Sequence, residues 1–204
     1  MGVAIETITT MILISIHPFN VKKILALVAT MICLSSVSGF AQSLFLSVPS
    51  TPYDRQMSRI QPVLLSKTAA HPDNALSLAV VNHWIQDLRG IPYGFSSEWK
   101  TPQEVQTGSA ADCKGKAVAL YEKMHANGAR NVRLVIGKRS WTSSKTHAWI
   151  EWNMDGTNYV LDPTINWTAY RSEKFNSRSY IPLYAYAGVR KYRATSGSTL
   201  YAKN

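Results

Sequence analysis

The chain of 204 residues contains only two cysteines, Cys33 and Cys113. Cys33 lies in an apolar segment near the N-terminus, so a chain that loses this segment on export keeps Cys113 alone. A single cysteine cannot form a disulfide within its own chain, and with dispersed histidines it cannot build a zinc site of the usual spacing. Cys113 is therefore a buried apolar residue, an intermolecular disulfide partner or a reactive thiol.

The sequence also lacks any long run of basic residues, although its formal net charge at pH 7 is +10. The positive charges are scattered in pairs such as Lys138/Arg139 and Arg190/Lys191. Nucleic-acid-binding proteins usually show a clustered basic patch, so no nucleic-acid partner is expected. The excess charge favours contact with an anionic envelope surface instead.

The first 41 residues have the pattern of a signal peptide. Lys22 and Lys23 precede an apolar run at 24–34, and a serine-rich stretch follows that has small residues at positions −3 and −1 of a cleavage site after Ala41. The apolar run has the length of a signal-peptide core, and it is shorter than the roughly 20 residues of a membrane span. The pattern predicts cleavage after Ala41 and a periplasmic or secreted protein, with an uncleaved anchor as the alternative.

Composition divides the chain into four parts, which follow one another without internal repeats. They are a signal peptide (1–41), a loosely structured lead-in with four prolines (42–72), a folded domain (73–190) and a tail (191–204). The residues after position 41 have the length of a single domain.

Hydrophobic periodicity in this domain predicts helices first and strands afterwards. Apolar residues recur at helical spacing over 74–85, in a helix expected to end before Gly90, and from Cys113 to a stop signal at Asn127–Gly128. Asp155–Gly156 is a hairpin signal between two of the strand-like runs. The predicted strands are 132–137, 147–152, 158–162 and an edge strand at 180–186 that tolerates Pro182. This order predicts an α+β fold.

Polar residues with catalytic potential fall at the ends of these elements. Asp112 is a good N-cap for the helix that begins at Cys113, where the helix dipole favours a thiolate and free N–H groups could hold an oxyanion. His147 begins one strand of the hairpin and Asp162 ends the other, so the two should lie side by side. Cys113, His147 and Asp162 then form a nucleophile, a base and an orienting carboxylate, although each residue separately also fits a structural role.

Several motifs in this stretch resemble the transglutaminase-like superfamily, and within it the bacterial transglutaminase-like cysteine proteinases. The motifs are Trp-x-Thr-Pro-x-Glu at 99–104, Asp112–Cys113, His-Ala-Trp at 147–149 and Val-Leu-Asp-Pro at 160–163. The resemblance covers residues 75–186. It implies a papain-like or transglutaminase-like core in which the catalytic helix packs on an antiparallel sheet, with Cys113 as nucleophile, His147 as general base and Asp162 as orienting residue.

One position departs from the family. Its periplasmic proteases that release surface adhesins have an acidic residue directly after the cysteine and use calcium, whereas this chain has Lys114. A lysine there favours the thiolate, as Asp112 does through the helix cap, and repels calcium. No metal or other cofactor is therefore expected. Tyr93 and Trp99 are candidates for a second oxyanion donor, although Trp99 also fits a place in the core.

The sequence thus predicts an exported cysteine protease or amidase that acts through an acyl-enzyme. Its expected partner is a protein or peptide substrate in the cell envelope. Attack by water on the acyl-enzyme gives hydrolysis, whereas attack by an amine makes the protein a transglutaminase. Two alternatives without catalysis also stay open, namely a binding module that keeps the fold and an anion-binding periplasmic factor.

Overall fold

The computed structural model describes residues 44–68, 76–176 and 178–195. The predicted signal peptide and its cleavage site at Ala41 lie outside the described residues. Within the described ranges, no helix is both long enough and apolar enough to cross a membrane.

Four α-helices and seven strands make up the described chain. The helices are α1 (Gln61–Leu64), α2 (Leu78–Gly90), α3 (Pro102–Thr107) and α4 (Cys113–Ala126), with short 3₁₀ turns at Ser58–Ile60 and Ser172–Lys174. The strands are β1 (Leu44–Val48), β2 (Val132–Ser140), β3 (His147–Met154), β4 (Thr157–Leu161), β5 (Tyr170–Arg171), β6 (Ser179–Ala187) and β7 (Arg190–Thr195). They form one sheet in the order β1-β7-β6-β2-β3-β4-β5, and every neighbouring pair is antiparallel.

Helix α4 lies at the centre of the fold. It contacts β2 and β3 of the sheet and also the helices α1, α2 and α3. Because it has neighbours on several sides, every residue from Ala117 to Tyr121 is buried. Ala148, Ile150 and Trp152 of β3 belong to the same apolar core. The predicted α+β class is therefore confirmed, with the helix that begins at Cys113 packed on an antiparallel sheet.

Local signals set the ends of the elements around the site. Helix α4 ends at Ala126 where predicted, because Asn127 caps it and Gly128 takes a positive φ of 82°. The turn between β3 and β4 also follows the prediction, since Asp155 and Gly156 both have positive φ, at 50° and 80°. This turn fixes the β3–β4 register, and the register brings the start of β3 beside the end of β4.

The N-terminal and C-terminal segments differ from the prediction. The lead-in at 42–72 contains β1 and α1, and Ile60 and Leu64 are buried in the core. Pro62 does not break α1 because it occupies the first turn, where a backbone N–H has no helical partner. The predicted tail begins inside β7, which pairs with β1 and β6. Residues after 195 lie outside the described ranges.

The prediction that residues 180–186 form an edge strand is wrong. Strand β6 lies between β2 and β7, in the interior of the sheet. Pro182 is accommodated there because the β2–β6 register shifts between Ile136 and Gly137, directly opposite the proline that cannot donate an N–H. Gly137 is required at this position, since an added Cβ would come within 2.2 Å of the Ile181 carbonyl oxygen.

The start of one helix and the existence of another differ from the prediction. Helix α2 begins at Leu78 rather than at 74, because the Ser77 side chain caps it by accepting a hydrogen bond from the Val80 N–H. Residues 71–75 lie outside the described ranges. Helix α3 was absent from the prediction, although Thr101 and Glu104 form a capping box that the sequence displays as Thr-Pro-x-Glu.

Candidate active site

Cys113 is the first residue of α4 and is held there by the cap that precedes it. The Asp112 carboxylate is fully buried, and its Oδ1 accepts hydrogen bonds from the N–H groups of Lys114 and Gly115 at 3.1 Å each. The Cys113 N–H has no acceptor among the described residues. The thiol and an unpaired N–H therefore share the positive end of a 14-residue helix.

His147 and Asp162 meet where the β3–β4 hairpin opens. His147 is the first residue of β3, Asp162 follows the last residue of β4, and the His147 Nε2 lies 2.7 Å from the Asp162 Oδ2. The imidazole also interacts with the Cys113 side chain, which contributes to its pKa. Because Nε2 is engaged by Asp162, Nδ1 is the nitrogen available to the thiol. The structure thus brings together the three residues that the sequence proposed as nucleophile, base and orienting carboxylate.

The surroundings of His147 favour its charged form. Burial by itself lowers the pKa of His147, but the hydrogen bond to Asp162, the interaction with Cys113 and the negative charges of these groups outweigh it and raise the pKa to about 9. The imidazole is therefore protonated at neutral pH. An imidazolium beside a cysteine is the arrangement that stabilises a thiolate in cysteine hydrolases.

This pKa predicts a pH-dependent stability. A folded-state pKa above the ordinary value of about 6.5 means that His147 binds its proton more tightly in the folded protein. Its contribution is fully present below pH 6.5 and is lost as the pH rises to about 9. We expect the free energy of unfolding to fall by up to about 3 kcal/mol across this window, as measured by urea denaturation. The control is His147→Gln, which should remove this decrease; equal wild-type stability at both limits would contradict the prediction.

Tyr180 is a further member of the site that the sequence did not indicate. Its hydroxyl donates to the Asp162 Oδ2 at 2.9 Å and accepts from the Asn166 Nδ2 at 3.0 Å. Burial, and next the charge of Asp162, raise the pKa of Tyr180, so the hydroxyl keeps its proton. The Thr164 N–H donates to the Asp162 Oδ1 at 3.0 Å. Asp162 therefore receives three donors, of which His147 is one.

A buried lysine and an arginine support the loop that carries Asp162. Lys116 is only 2% exposed and donates from Nζ to the Ile91 carbonyl at 2.5 Å. Burial and the charge of Arg89 lower the pKa of Lys116, whereas the charge of Asp162 opposes this shift. Arg89 donates to the Thr164 carbonyl at 2.6 Å. Sequence patterns missed both residues because these contacts join segments that lie far apart in the chain.

The two candidate oxyanion donors lie in different environments. Tyr93 is 59% exposed and bridges to Ala111, two residues before Cys113. Its pKa is raised by burial and then by the charges of Cys113 and Asp112, so its hydroxyl stays protonated at neutral pH. Trp99 is 1% exposed within the main core, and its Nε1 has no partner among the described residues. Tyr93 thus lies at the site, whereas Trp99 is a core residue.

The ammonium of Lys114 is bound to the cap of the helix. It forms an ion pair with Asp112 and donates to the Ser96 carbonyl at 2.9 Å. The Ser96 N–H donates in turn to the Asp112 Oδ2 at 3.2 Å. Lys114 therefore links Ser96 to the start of α4. A role for Lys114 or Asp112 in tuning the thiol stays a prediction.

Comparison with known proteins finds similarity only at the level of structure. No family model and no curated protein sequence matches the chain. Among solved structures, calcium-bound LapG of Legionella pneumophila is 16% identical, with a TM-score of 0.50 over 68% of this chain and 77% of LapG. The chain shares the fold of LapG. LapG is a bacterial transglutaminase-like cysteine protease, so the fold implied by the sequence motifs is confirmed.

Two other LapG structures align over similar lengths. One is 15% identical over 71% of this chain and 80% of LapG, with a TM-score of 0.49. The other, treated with EGTA, is 14% identical over 70% of this chain and 79% of LapG, with a TM-score of 0.48. At this level of identity, the comparison shows the fold alone.

The Asp112 carboxylate beside Cys113 is not free to bind a cation such as the calcium ion that one LapG structure contains. Among the described residues, no group of three or more His, Cys, Asp or Glu side chains could hold a metal ion. Calcium requires six to eight oxygen ligands. Beside Cys113, the Asp112 carboxylate is already occupied by three N–H groups and the Lys114 ammonium. A cation site at this position would have to displace Lys114.

Proposed function

We propose that the chain is an exported cysteine protease or amidase that opens a peptide or amide bond of a protein substrate in the cell envelope. The observation that carries this proposal is the position of His147, which is hydrogen-bonded to Asp162 and interacts with the Cys113 side chain. The exported location rests on the signal-peptide pattern of the first 41 residues.

The mechanism follows from the groups around the thiol. The Cys113 thiolate attacks the carbonyl carbon, and the oxyanion is held by the Cys113 N–H with the nearby Tyr93 hydroxyl as second donor. The His147 imidazolium gives its proton to the leaving amine and then takes a proton from the water that attacks the acyl-enzyme. Asp162 and Tyr180 hold the imidazole in the orientation that leaves Nδ1 toward the thiol.

The same site supports a second reaction. A primary amine that reaches the acyl-enzyme before water yields a new amide bond, and the protein is then a transglutaminase. The two reactions are separated by incubating the chain from residue 42 with fluorescein-labelled casein and a fluorescent primary amine. We expect labelled fragments that accumulate without incorporated amine, and no fragments with Cys113→Ala. Amine incorporation without fragments would favour the transglutaminase.

A noncatalytic binding module with this fold is a further alternative. Such a module would have no use for a buried imidazolium between a carboxylate and a thiol, because burying these groups is costly. It would yield neither fragments nor incorporated amine in the casein experiment, and its binding would be indifferent to Cys113→Ala.

Calcium removal is expected to leave the proposed activity unchanged. The Lys114 ammonium already neutralises Asp112, so no cation has to be bound before Cys113 is positioned. Casein hydrolysis should proceed at the same rate in EGTA and in millimolar calcium. The variant Lys114→Glu serves as the control, because it replaces the ammonium by a carboxylate and should make the rate or the melting temperature respond to calcium. Loss of wild-type activity in EGTA would contradict this account of Lys114.

A further inference from the structure

Four cations that the proposed mechanism does not use belong to the segments next to the start of β3, where His147 lies. Gly137 pairs with His147 across the β2–β3 hairpin, so the loop at 138–146 extends beyond the histidine. Ser140 pairs with Ser179, and the Trp141 N–H donates to the Arg178 carbonyl at 2.8 Å, which joins this loop to the start of β6. We call the cations of this surface the basic rim. They are Lys138, Arg139, Lys145 and Arg178.

No carboxylate among the described residues pairs with the basic rim. The ion pairs of the described chain involve other cations, such as Lys191 with Asp54 at 2.7 Å. Residues 123–150 contain no Asp or Glu at all. The Arg139 guanidinium stacks 4.4 Å above the Tyr180 ring, and its buried Nε has no hydrogen-bond acceptor. Within the described residues, the rim is therefore a concentration of positive charge without a partner carboxylate.

An exposed aromatic side chain lies within the rim. Trp141 is 58% exposed, although burying a tryptophan side chain is strongly favourable. It occupies the loop that ends at His147, and its backbone is bonded to Arg178. An exposed apolar side chain in a segment that carries cations without partner carboxylates matches a ligand with both an aromatic or aliphatic side chain and carboxylates.

We propose that the basic rim and Trp141 bind an acidic segment of the substrate polypeptide next to the bond that is cleaved. The inference rests on the proposed function for the position of the scissile bond, because the rim adjoins His147. Glutamate or aspartate side chains of the substrate neutralise Lys138, Lys145 and Arg178, and an apolar side chain covers Trp141. This surface selects acidic, aromatic-containing stretches of protein and steers them toward Cys113.

Binding to the Cys113→Ala variant tests this inference without any turnover. The probes are two fluorescein-labelled peptides of alanine with one central tryptophan, one carrying flanking glutamates and the other glutamines at the same positions. We expect the glutamate peptide to bind about tenfold more tightly by fluorescence anisotropy at low ionic strength. The preference should disappear in 1 M salt, where the screening length is about 3 Å.

Matched variants connect this preference to the rim. The triple variant Lys138→Gln, Lys145→Gln, Arg178→Gln should bind both peptides equally. Arg139 is left unchanged because it stacks on Tyr180, which supports Asp162. The control triple removes three positive charges near the C-terminal end of α4, and it should keep the tenfold preference. Its substitutions are Lys67→Gln, Lys123→Gln and Arg130→Gln.

The possible results separate this inference from the proposed function. Equal binding of both peptides to the Cys113→Ala protein, or a preference that survives in the rim triple, would overturn the inference even if casein is hydrolysed. Binding of single-stranded DNA or anionic vesicles through the rim, without a preference for the glutamate peptide, would also overturn it. A glutamate preference that depends on the rim, together with no casein hydrolysis, would support the surface and refute the hydrolase.

Discussion

Replacing Cys113 or His147 by alanine is expected to lower kcat for casein hydrolysis by about 10⁴-fold or more. Alanine at 113 removes the nucleophile, and alanine at 147 removes both the counter-charge of the thiolate and the proton donor for the leaving amine. We expect the two groups to act as one unit, because the Cys113 side chain contributes to the raised pKa of His147. The double variant should therefore be no slower than either single variant, and multiplicative losses would contradict a shared role.

His125 provides a matched control for the histidine substitution. It lies in the last turn of the same helix, stacked on Tyr121 with ring centroids 4.1 Å apart. Burial lowers the pKa of His125, and nothing connects it with the thiol. His125→Ala should leave kcat unchanged even if it lowers the melting temperature. A comparable loss of kcat in His125→Ala would mean that the effect of His147→Ala reflects folding.

The substitution Asp162→Asn is expected to lower kcat by about 10²-fold or more and to move the pH–rate profile. Asp162 accepts from three donors, with His147 and Tyr180 on one oxygen and the Thr164 N–H on the other. An asparagine has a single acceptor oxygen, so in either orientation its NH₂ group faces a donor in a buried site. The loss of the negative charge should also shift the titration of His147 from about 9 toward its ordinary value.

Tyr180→Phe is the control for the Asp162 substitution. It removes one donor from the carboxylate and keeps the negative charge beside His147. The rate should fall less than in Asp162→Asn, and the titration of His147 in the pH–rate profile should stay near its wild-type position. If Asp162→Asn changes neither kcat nor the pH–rate profile, Asp162 is not the orienting residue.

The parts of the site that follow from local patterns were predictable from the sequence. The N-cap Asp112 and the stop at Asn127–Gly128 define α4 within the chain itself, and the Asp155–Gly156 turn sets the hairpin register. Those signals suffice to place Cys113 at a helix start and His147 near Asp162. Each of them acts over a few residues, so no knowledge of the sheet order is needed.

The parts that depend on distant pairing were not predictable. The role of Tyr180 depends on the pairing of β6 with β2, which joins distant parts of the chain. The residue also has a positive φ of 50°, and no turn motif in the sequence predicts this conformation. Strand β1 forms only because β7 pairs with it, across almost the whole chain. The prolines at 42–72 predict loose structure, because the contacts that order this segment are not local. Ile60 and Leu64 are buried against residues from other parts of the fold.

The rate of Cys113 alkylation by iodoacetamide across pH tests the central claim most directly, because only the thiolate reacts. With the His147 imidazolium in contact, the wild-type protein should react rapidly even below pH 7, and His147→Ala should react far more slowly there. The chain from residue 42 contains no other cysteine, so every modified cysteine in that chain reports on the site. Wild-type labelling as slow as that of an ordinary thiol below pH 7, and unchanged by His147→Ala, would contradict the proposed Cys113–His147–Asp162 site.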